Sequence, residues 1–279
     1  MMNLSQRVNL AEEKTLLLLA VSFFTRIPVR LPAEITPAQL NKASRYFAVV
    51  GLLIGFICSL VYLVSVEYLP KSLAVLVAMA VSLLVTGAFH EDGWADVWDG
   101  FGGGWSIEQK LNIMKDSRLG TYGAAALFII LLLKFQSLIA LASPVMALIL
   151  ANTLSRVVAT SLIYDMSYVA LDASSKVKPL AQHLSNNNLI ILLITGLVVS
   201  LWFLSLTECF FLFVILLVFR ALLAFWFTRQ LGGYTGDCLG AAQQSSEIVI
   251  YLSLFIFGYG SEALNTSAGL NGNIGIIIG

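Results

Sequence analysis

The residues best suited to chemistry are acids in a short run that follows an apolar stretch. Glu91, Asp92, Asp96 and Asp99 all lie within His90–Gly104. A helix turns about 100° per residue, so Asp92, Asp96 and Asp99 at i, i+4 and i+7 share one face. Glu91 borders that face. Carboxylates this close repel one another, and a hard divalent cation such as Mg²⁺ or Mn²⁺, which takes oxygen ligands and shares them with phosphates, would relieve the repulsion.

The residues between the acids favour a site over a solvated acidic surface, which is the alternative. Trp94 and Trp98 are four apart and fall on the opposite side of the helix, where indoles suit a membrane interface. Gly93 and Gly100 flank the acids, and we expect them to let a bulky ligand approach the backbone. The sequence therefore predicts a metal site made from Glu91, Asp92, Asp96 and Asp99, placed where a helix continues out of the membrane.

Cations follow the acids after a glycine-rich connection. Ser106 can cap a short amphipathic helix with Ile107, Leu111 and Met114 as its apolar face. Lys115 and Arg118 come next, and cations beside glycines with exposed amides suit phosphate. Both could equally be ordinary juxtamembrane basic residues. The predicted substrate-binding residues of this segment are Gly102, Gly103, Lys115, Asp116, Ser117, Arg118 and Tyr122.

A second polar cluster follows the sixth apolar stretch, from Arg229 to Glu247. Asp237 lies in a glycine-rich turn and could complete a metal site or hold a sugar hydroxyl, although an ordinary polar turn is the alternative. Thr235 and Gln243 are predicted substrate contacts, and Gln243 and Glu247 are four apart. Arg156 and Lys134 fall inside apolar stretches, where a charge is costly and is usually paired or functional, although the long stem of Lys134 could reach the interface.

The elements that must position these residues are membrane helices. The chain has 279 residues, of which 58% are hydrophobic and 11% charged, against about 25% charged in a typical soluble domain. The mean hydropathy is +0.88. A net charge of zero argues against nucleic-acid binding, which needs a basic face. Three dispersed cysteines and two histidines predict neither a disulfide framework nor a histidine or zinc centre.

Stretches of about 20 apolar residues can cross a bilayer as helices. The sequence predicts an all-α polytopic membrane protein with six such spans and a shorter seventh, which could be tilted or re-entrant. A single membrane domain covers 1–279, with an N-terminal segment 1–45, an active-site segment 90–123 and a tail 261–279 without an assigned role. Within 1–45, Leu16–Phe24 is predicted to be a short interfacial helix or a core helix. The seven predicted spans are 46–66, 72–89, 124–142, 145–163, 188–206, 209–228 and 247–260.

Basic residues predict the orientation of the chain. Twelve of the sixteen Lys and Arg lie in the longer connections 1–45, 90–123, 164–187 and 229–246. The positive-inside rule places these connections in the cytoplasm. The sequence therefore predicts a multi-pass protein of the bacterial cytoplasmic (inner) membrane whose active-site loops face the cytosol.

Three motifs resemble the cobalamin synthase family, the adenosylcobinamide-GDP ribazoletransferases. They are Glu91–Gly104, Ile113–Gly123 and Gly233–Ala241, and Phe24–Pro28 also looks like that family. The resemblance covers roughly 15–255. It implies a Mg²⁺-dependent transferase that joins adenosylcobinamide-GDP to alpha-ribazole, or to its 5′-phosphate, and releases GMP. The product would be adenosylcobalamin or its 5′-phosphate.

Together, the residues and the resemblance give each candidate a role. Asp92, Asp96 and Asp99 are predicted to bind the metal, with Glu91 as a fourth ligand or general base. Asp96 and Asp237 are the other candidates for the base. Lys115 and Arg118 are expected to hold phosphates. Asp237 and Arg156 would position the second substrate or a second metal.

Two rival functions are compatible with membrane carboxylates. A phospholipid-type alcohol phosphotransferase would use a similar acidic motif, but the spacing of Asp92, Asp96 and Asp99 departs from its longer pattern. A cation carrier would need acids at mid-membrane depth, whereas these acids cluster at one end of a span. The predicted partners are the two substrates and the lipid bilayer, with a homo-oligomer, or contact with other cobalamin-assembly enzymes, left open.

Overall fold

The fold consists of α-helices that gather the polar motifs at one end of a bundle. A computed structural model describes residues 10–169 and 181–260, so the predicted tail 261–279 and the basic residues Lys176 and Lys178 lie outside the described residues. The helices are α1 (Leu10–Phe24), α2 (Pro37–Ala43), α3 (Phe47–Val66), α4 (Lys71–Thr86), α5 (Phe89–Gly103), α6 (Ile107–Lys115), α7 (Thr121–Ala140), α8 (Pro144–Ser161), α9 (Asn186–Phe203), α10 (Leu206–Leu231) and α11 (Gly236–Ile256).

Five helical segments of the described chain are long and apolar enough to cross a membrane, and a bent pair, α4 with α5, would make a sixth. The predicted polytopic α-helical class is therefore confirmed. Five spans in the described residues, or six with the bent pair, compare with the six to seven that were predicted. The five segments are Pro37–Val66, Thr121–Ala140, Pro144–Tyr164, Asn186–Phe203 and Leu206–Leu231.

The predicted seventh span, 247–260, forms the second half of α11, which is not among those segments. Gln243, Gln244 and Glu247 make α11 too polar to face lipid, and they are buried among neighbouring helices. Yet α11 crosses the bundle. Its first turn touches α5 at Gly93, and beyond its last turn Gly260 pairs with Leu141 in the connection between α7 and α8.

Burial separates central helices from peripheral ones. In its most apolar stretch α8 has 89% of its residues buried, whereas the figure for α10 is 22%. Because α8 and α11 pack against each other and against α3 or α5, they form the core of the bundle. The outward faces of α9 and α10 carry exposed Leu, Ile, Val and Phe side chains, as expected where lipid is the solvent.

The N-terminal helix α1 packs against α2 and α3. It buries one face, which includes Leu16, Ala20 and Phe24. Two ion pairs join α1 to the residues at and just after α2. Lys42 Nζ lies 2.8 Å from Glu12 Oε1, and Arg45 Nη2 lies 2.8 Å from Glu13 Oε1. The pair with Lys42 lowers the pKa of Glu12.

Candidate active site

The acidic segment forms its own helix, α5, and does not continue the preceding one. Gly87 and Ala88 both adopt left-handed backbone angles, with φ of 69° and 57°, and α4 and α5 meet at 86°. Gly87 takes this conformation without strain because it has no Cβ. The prediction of one helix running across the interface is therefore wrong, although the helical spacing of the acids within α5 is confirmed.

The backbones of α5 and α11 approach closely at a glycine on each helix. A Cβ on Gly93 would lie 2.9 Å from the carbonyl oxygen of Asp237, and one on Gly240 would lie 3.1 Å from that of His90. Gly100 faces the Met114 side chain of α6 in a similar way. Gly93 and Gly100 therefore allow helices to pack, and the expectation that they open the backbone to a ligand is wrong.

This crossing brings Asp237 to Asp92 and Asp96, from which it is distant in sequence. Asp92 is exposed, Asp96 and Asp237 are half-buried, and the charges of Asp237, Asp92 and Asp99 all act on Asp96. Burial and the nearby charge of Asp92 raise the pKa of Asp237 to about 6. We call Asp92, Asp96 and Asp237 the acid cluster. Among the described residues, none of its members forms an ion pair with Lys or Arg.

Asp99 has a different environment from the acid cluster. Its two carboxylate oxygens accept hydrogen bonds from the backbone N–H groups of Gly120, at 2.7 Å, and Gly123, at 2.8 Å. These amides belong to the start of α7 and would otherwise lack a partner. Asp99 therefore caps α7 from a neighbouring helix, and a negative charge there also suits the helix dipole.

Glu91 points away from the acid cluster into the bundle. Its Oε1 accepts a hydrogen bond of 2.9 Å from the side chain of Gln244 and lies 3.9 Å from Lys134 Nζ. Lys134 in turn lies 2.5 Å from Glu247 Oε2. We call Glu91, Lys134, Gln244 and Glu247 the buried network. All four are at least nine-tenths buried.

The four predicted metal ligands thus lie in three different surroundings: Asp92 and Asp96 in the acid cluster, Asp99 at the start of α7, and Glu91 in the buried network. Within 10–169 and 181–260, no group of three or more His, Cys, Asp or Glu side chains forms a ready-made metal site. The oxygen-only donors of the acid cluster nonetheless match the chemistry of a hard divalent cation. Their mutual repulsion, with no Lys or Arg paired to them among the described residues, is what such a cation would relieve.

The predicted phosphate loop follows α6 on the surface. Ser106 caps α6 as predicted, in a capping box with Gln109, and Leu111 and Met114 are buried while Ile107 is exposed. Arg118 pairs with Asp116 at 2.5 Å, and this pairing lowers the pKa of Asp116. The predicted contacts Lys115, Ser117 and Arg118 are exposed.

Two predicted substrate-binding glycines lie at the end of α5, beside α6 and α7. A Cβ on Gly102 would lie 2.7 Å from the ring of Tyr122, another candidate, and one on Gly103 would lie 3.4 Å from Ile113. Tyr122 is exposed and sits in the first turn of α7. The structure thus brings Gly102 and Tyr122 together at the surface beside the helix end that Asp99 caps.

Other predicted contacts serve the fold. Thr235 caps α11 by accepting a hydrogen bond of 3.2 Å from the Cys238 amide. Gln243 donates to Ser155, at 3.0 Å, and to Glu247, at 2.6 Å. Neither Gln243 nor the wholly buried Arg156 lies on the surface of the acid cluster.

Arg156 is held within α8 and against aromatic packing. Its guanidinium donates to the carbonyl oxygen of Asn152 at 2.8 Å and lies 5.9 Å from the centre of the Phe24 ring. Phe24 also stacks on His90 at the start of α5. The Phe24–Pro28 motif therefore packs beside the bend that opens α5.

The pairing of Lys134 with Glu247 could not be read directly from the sequence. The signal was present in the form of two opposite charges inside apolar stretches, which usually imply a partner. The contribution of Gln244 was missed because a glutamine beside Gln243 has no distinctive pattern. Trp94 and Trp98 lie opposite the acids as predicted and pack at a centroid distance of 5.6 Å.

Comparison with known proteins identifies the family. The family model described as cobalamin-5-phosphate synthase matches residues 16–255. The adenosylcobinamide-GDP ribazoletransferase of Shewanella frigidimarina is 53% identical over 260 residues, which cover 91% of this chain and 99% of the relative. The protein of the same name from Shewanella oneidensis is 49% identical with the same coverage. No solved structure matches. The family model matches most of the chain, and the relatives are about 50% identical over nearly their whole length. Together, these matches show that this chain belongs to the cobalamin-5-phosphate synthase family.

Proposed function

We propose that this protein is the transferase that joins adenosylcobinamide-GDP to alpha-ribazole, or to its 5′-phosphate, in the last steps of cobalamin biosynthesis. The family match and the activity for which the relatives are named support this function. The new bond forms between a ribazole hydroxyl oxygen and the corrinoid-side phosphorus. The bond from that phosphorus to the oxygen of GMP breaks, and the hydroxyl loses its proton.

The observation that carries the proposal is the acid cluster. Asp92 and Asp96 from α5 and Asp237 from α11 meet where two of the motifs that resemble the family cross, at Gly93. Transfer from a diphosphate demands groups that hold the diphosphate in line with the nucleophile and offset its charge. Carboxylates repel a diphosphate, so this cluster suits the task when a cation lies between them.

We assign Mg²⁺ to Asp92, Asp96 and Asp237. When bound, the ion would offset the charge that develops on the diphosphate during transfer. Because the described residues form no ready-made metal site, the diphosphate would complete the coordination, as is common for Mg²⁺. Glu91 and Asp99 are not assigned to the ion, since one belongs to the buried network and the other caps α7.

The proton of the attacking hydroxyl needs an acceptor on the same surface. Asp96 and Asp237 are candidates because they belong to the acid cluster, whereas Glu91 faces Lys134 inside the bundle. Lys115 and Arg118 are proposed to hold phosphate oxygens from the neighbouring exposed loop. To bind a phosphate in this way, Arg118 would exchange its pairing with Asp116 for the ligand.

The location proposed for this chemistry is the cytosolic face of the bacterial inner membrane. The support is the excess of Lys and Arg in the longer connections of the sequence, which the positive-inside rule places in the cytoplasm. Both substrates would then reach the site from the cytosol. Contact with another copy of the chain or with other cobalamin-assembly enzymes stays a prediction.

Two isosteric variants test the assignment. Asp92→Asn and Asp96→Asn, assayed in detergent or nanodiscs with titrated Mg²⁺, are expected to fall below about a hundredth of wild-type activity, as when a charge-stabilising group is removed. Glu67→Gln, an exposed acid beyond the end of α3, serves as the matched control. Near-normal activity and Mg²⁺ dependence in both variants would overturn the metal assignment.

A binding experiment tests the substrate class separately. Thermal unfolding is measured with adenosylcobinamide-GDP, with a CDP-alcohol, and with divalent cations alone. Stabilisation by the corrinoid nucleotide that exceeds that by the CDP-alcohol is expected. The reverse order would favour the phospholipid-type transferase.

A further inference from the structure

The buried network places charges where charges are costly. Lys134 on α7 is 6% exposed, and Glu247 on α11 is 2% exposed. Removing such groups from water costs more than a salt bridge usually returns, and well-packed apolar residues would often stabilise the same helices as well or better. Stability alone therefore does not account for the network.

The contacts of the network join three helices at one level. Lys134 Nζ reaches Glu247 of α11 at 2.5 Å and lies 3.9 Å from Glu91 of α5. Gln244 donates to Glu91 at 2.9 Å, and its amide oxygen lies 3.3 Å from Lys134 Nζ. Directional contacts of this kind set how far each helix is rotated about its axis, which apolar packing specifies less strictly.

The rotation of α5 matters because Glu91 directly precedes Asp92. A rotation that withdrew Glu91 from Lys134 and Gln244 would turn Asp92 and Asp96 away from Asp237 by the same angle. Asp99 holds the other end of α5 to α7 through Gly120 and Gly123. The orientation of α5 is thus set from both ends by polar contacts.

We propose that Lys134 is a positioning residue for the transfer reaction: through Glu247 and Glu91 it holds α11 and α5 at the rotation that brings Asp92 and Asp96 to Asp237. Lys134 itself lies in the bundle, beside a cavity with room for about one water, and does not touch substrate. The inference rests on the proposed metal-binding function of the acid cluster.

The test uses the full-length protein in detergent and three variants. Lys134→Met removes the charge and keeps the length of the side chain, and Lys134→Arg keeps the charge. The double variant Lys134→Met with Glu247→Gln removes both charges of the closest pair, so that Glu247 is not left buried without its cation, while Glu91 keeps its hydrogen bond from Gln244. Lys71→Met is the matched control, because Lys71 binds the Leu141 carbonyl at the opposite end of the bundle.

The readouts are the Mg²⁺ concentration for half-maximal activity, Mn²⁺ binding measured by electron paramagnetic resonance, and thermal unfolding. Lys134→Met and the double variant are expected to weaken both metal measures by about tenfold or more, equivalent to about 1.4 kcal/mol. Lys134→Arg is expected to stay within about threefold of wild type, a smaller change on the same scale. The double variant is expected to regain wild-type thermal stability without regaining metal affinity.

Recovery of both stability and metal affinity in the double variant would overturn the proposal, because the network would then only neutralise its own charges. An unchanged Mn²⁺ affinity in folded Lys134→Met would do the same. The proposed function fails differently, since it fails if Asp92→Asn leaves Mn²⁺ affinity unchanged. Weakened binding in Asp92→Asn with normal binding in Lys134→Met would reject only the role of Lys134.

Discussion

The acid cluster and the buried network place acidic side chains in opposite surroundings. In the network, Glu91 and Glu247 face Lys134 deep among helices. In the cluster, Asp92, Asp96 and Asp237 face one another near the surface without a Lys or Arg partner among the described residues. Paired charges hold helices in place, whereas unpaired charges of one sign need a ligand. Glu91 and Asp92 are adjacent in α5, yet Glu91 belongs to the buried network and Asp92 to the acid cluster.

The largest loss of activity is expected from a substitution in the acid cluster, at Asp237. Asp237→Asn should lower activity about a hundredfold or more, while the thermal midpoint stays the same or rises because an amide removes the repulsion with Asp92. Steady-state assays and thermal unfolding of the same preparation measure both. If Asp237→Asn lost stability together with activity, Asp237 would have a structural role, like the residues of the buried network.

The next effect concerns the contact that brings the cluster together. Gly93→Ala places a methyl group 2.9 Å from the Asp237 carbonyl oxygen, so α5 and α11 must separate. Overpacking of this kind costs about 1–3 kcal/mol of stability, and activity should fall with the displaced carboxylates. Gly236→Ala is the control, since a Cβ there meets nothing within 4 Å. Equal behaviour of the two variants would show that the close approach is not required.

Asp99 tests the distinction between structural and metal-binding carboxylates, because its sequence position predicted a metal ligand like Asp92 and Asp96, whereas the structure shows it capping α7. Asp99→Asn can accept only one of the two hydrogen bonds from the start of α7, so we expect a loss of about 1–2 kcal/mol of stability, as for other caps. Activity should change less than in Asp92→Asn. If Asp99→Asn instead abolished activity at normal stability, Asp99 would belong with the metal ligands.

The smallest expected effect is at the exposed loop. Arg118→Ala should raise KM for the corrinoid nucleotide by up to about tenfold and leave thermal unfolding unchanged, because an exposed ion pair with Asp116 contributes little to stability. Substrate titrations measure the change, with Arg30→Ala as an exposed control. An unchanged KM would indicate that Arg118 does not bind substrate and is an ordinary basic residue beside the membrane.

Helical periodicity and hydropathy were enough to predict five of the seven proposed membrane spans, the cap at Ser106 and the shared face of the acids in α5. They could not show the bend at Gly87 and Ala88, because Ala88 adopts a backbone conformation that its residue type disfavours. They also could not separate Glu91 and Asp99 from the cluster. Those assignments depend on Gln244, Lys134 and the amides of Gly120 and Gly123, which are distant in sequence.

The polar character of α11 has a consequence for how the protein is built in the membrane. A segment with Gln243, Gln244 and Glu247 enters hydrocarbon at a high cost when it is alone. It becomes acceptable once α5, α7 and α8 offer Glu91, Lys134 and Ser155 as partners. The polar side chains of α11 are therefore satisfied only when α5, α7 and α8 are in place around it. Because α11 also carries Asp237, the acid cluster is completed only in a fully assembled bundle.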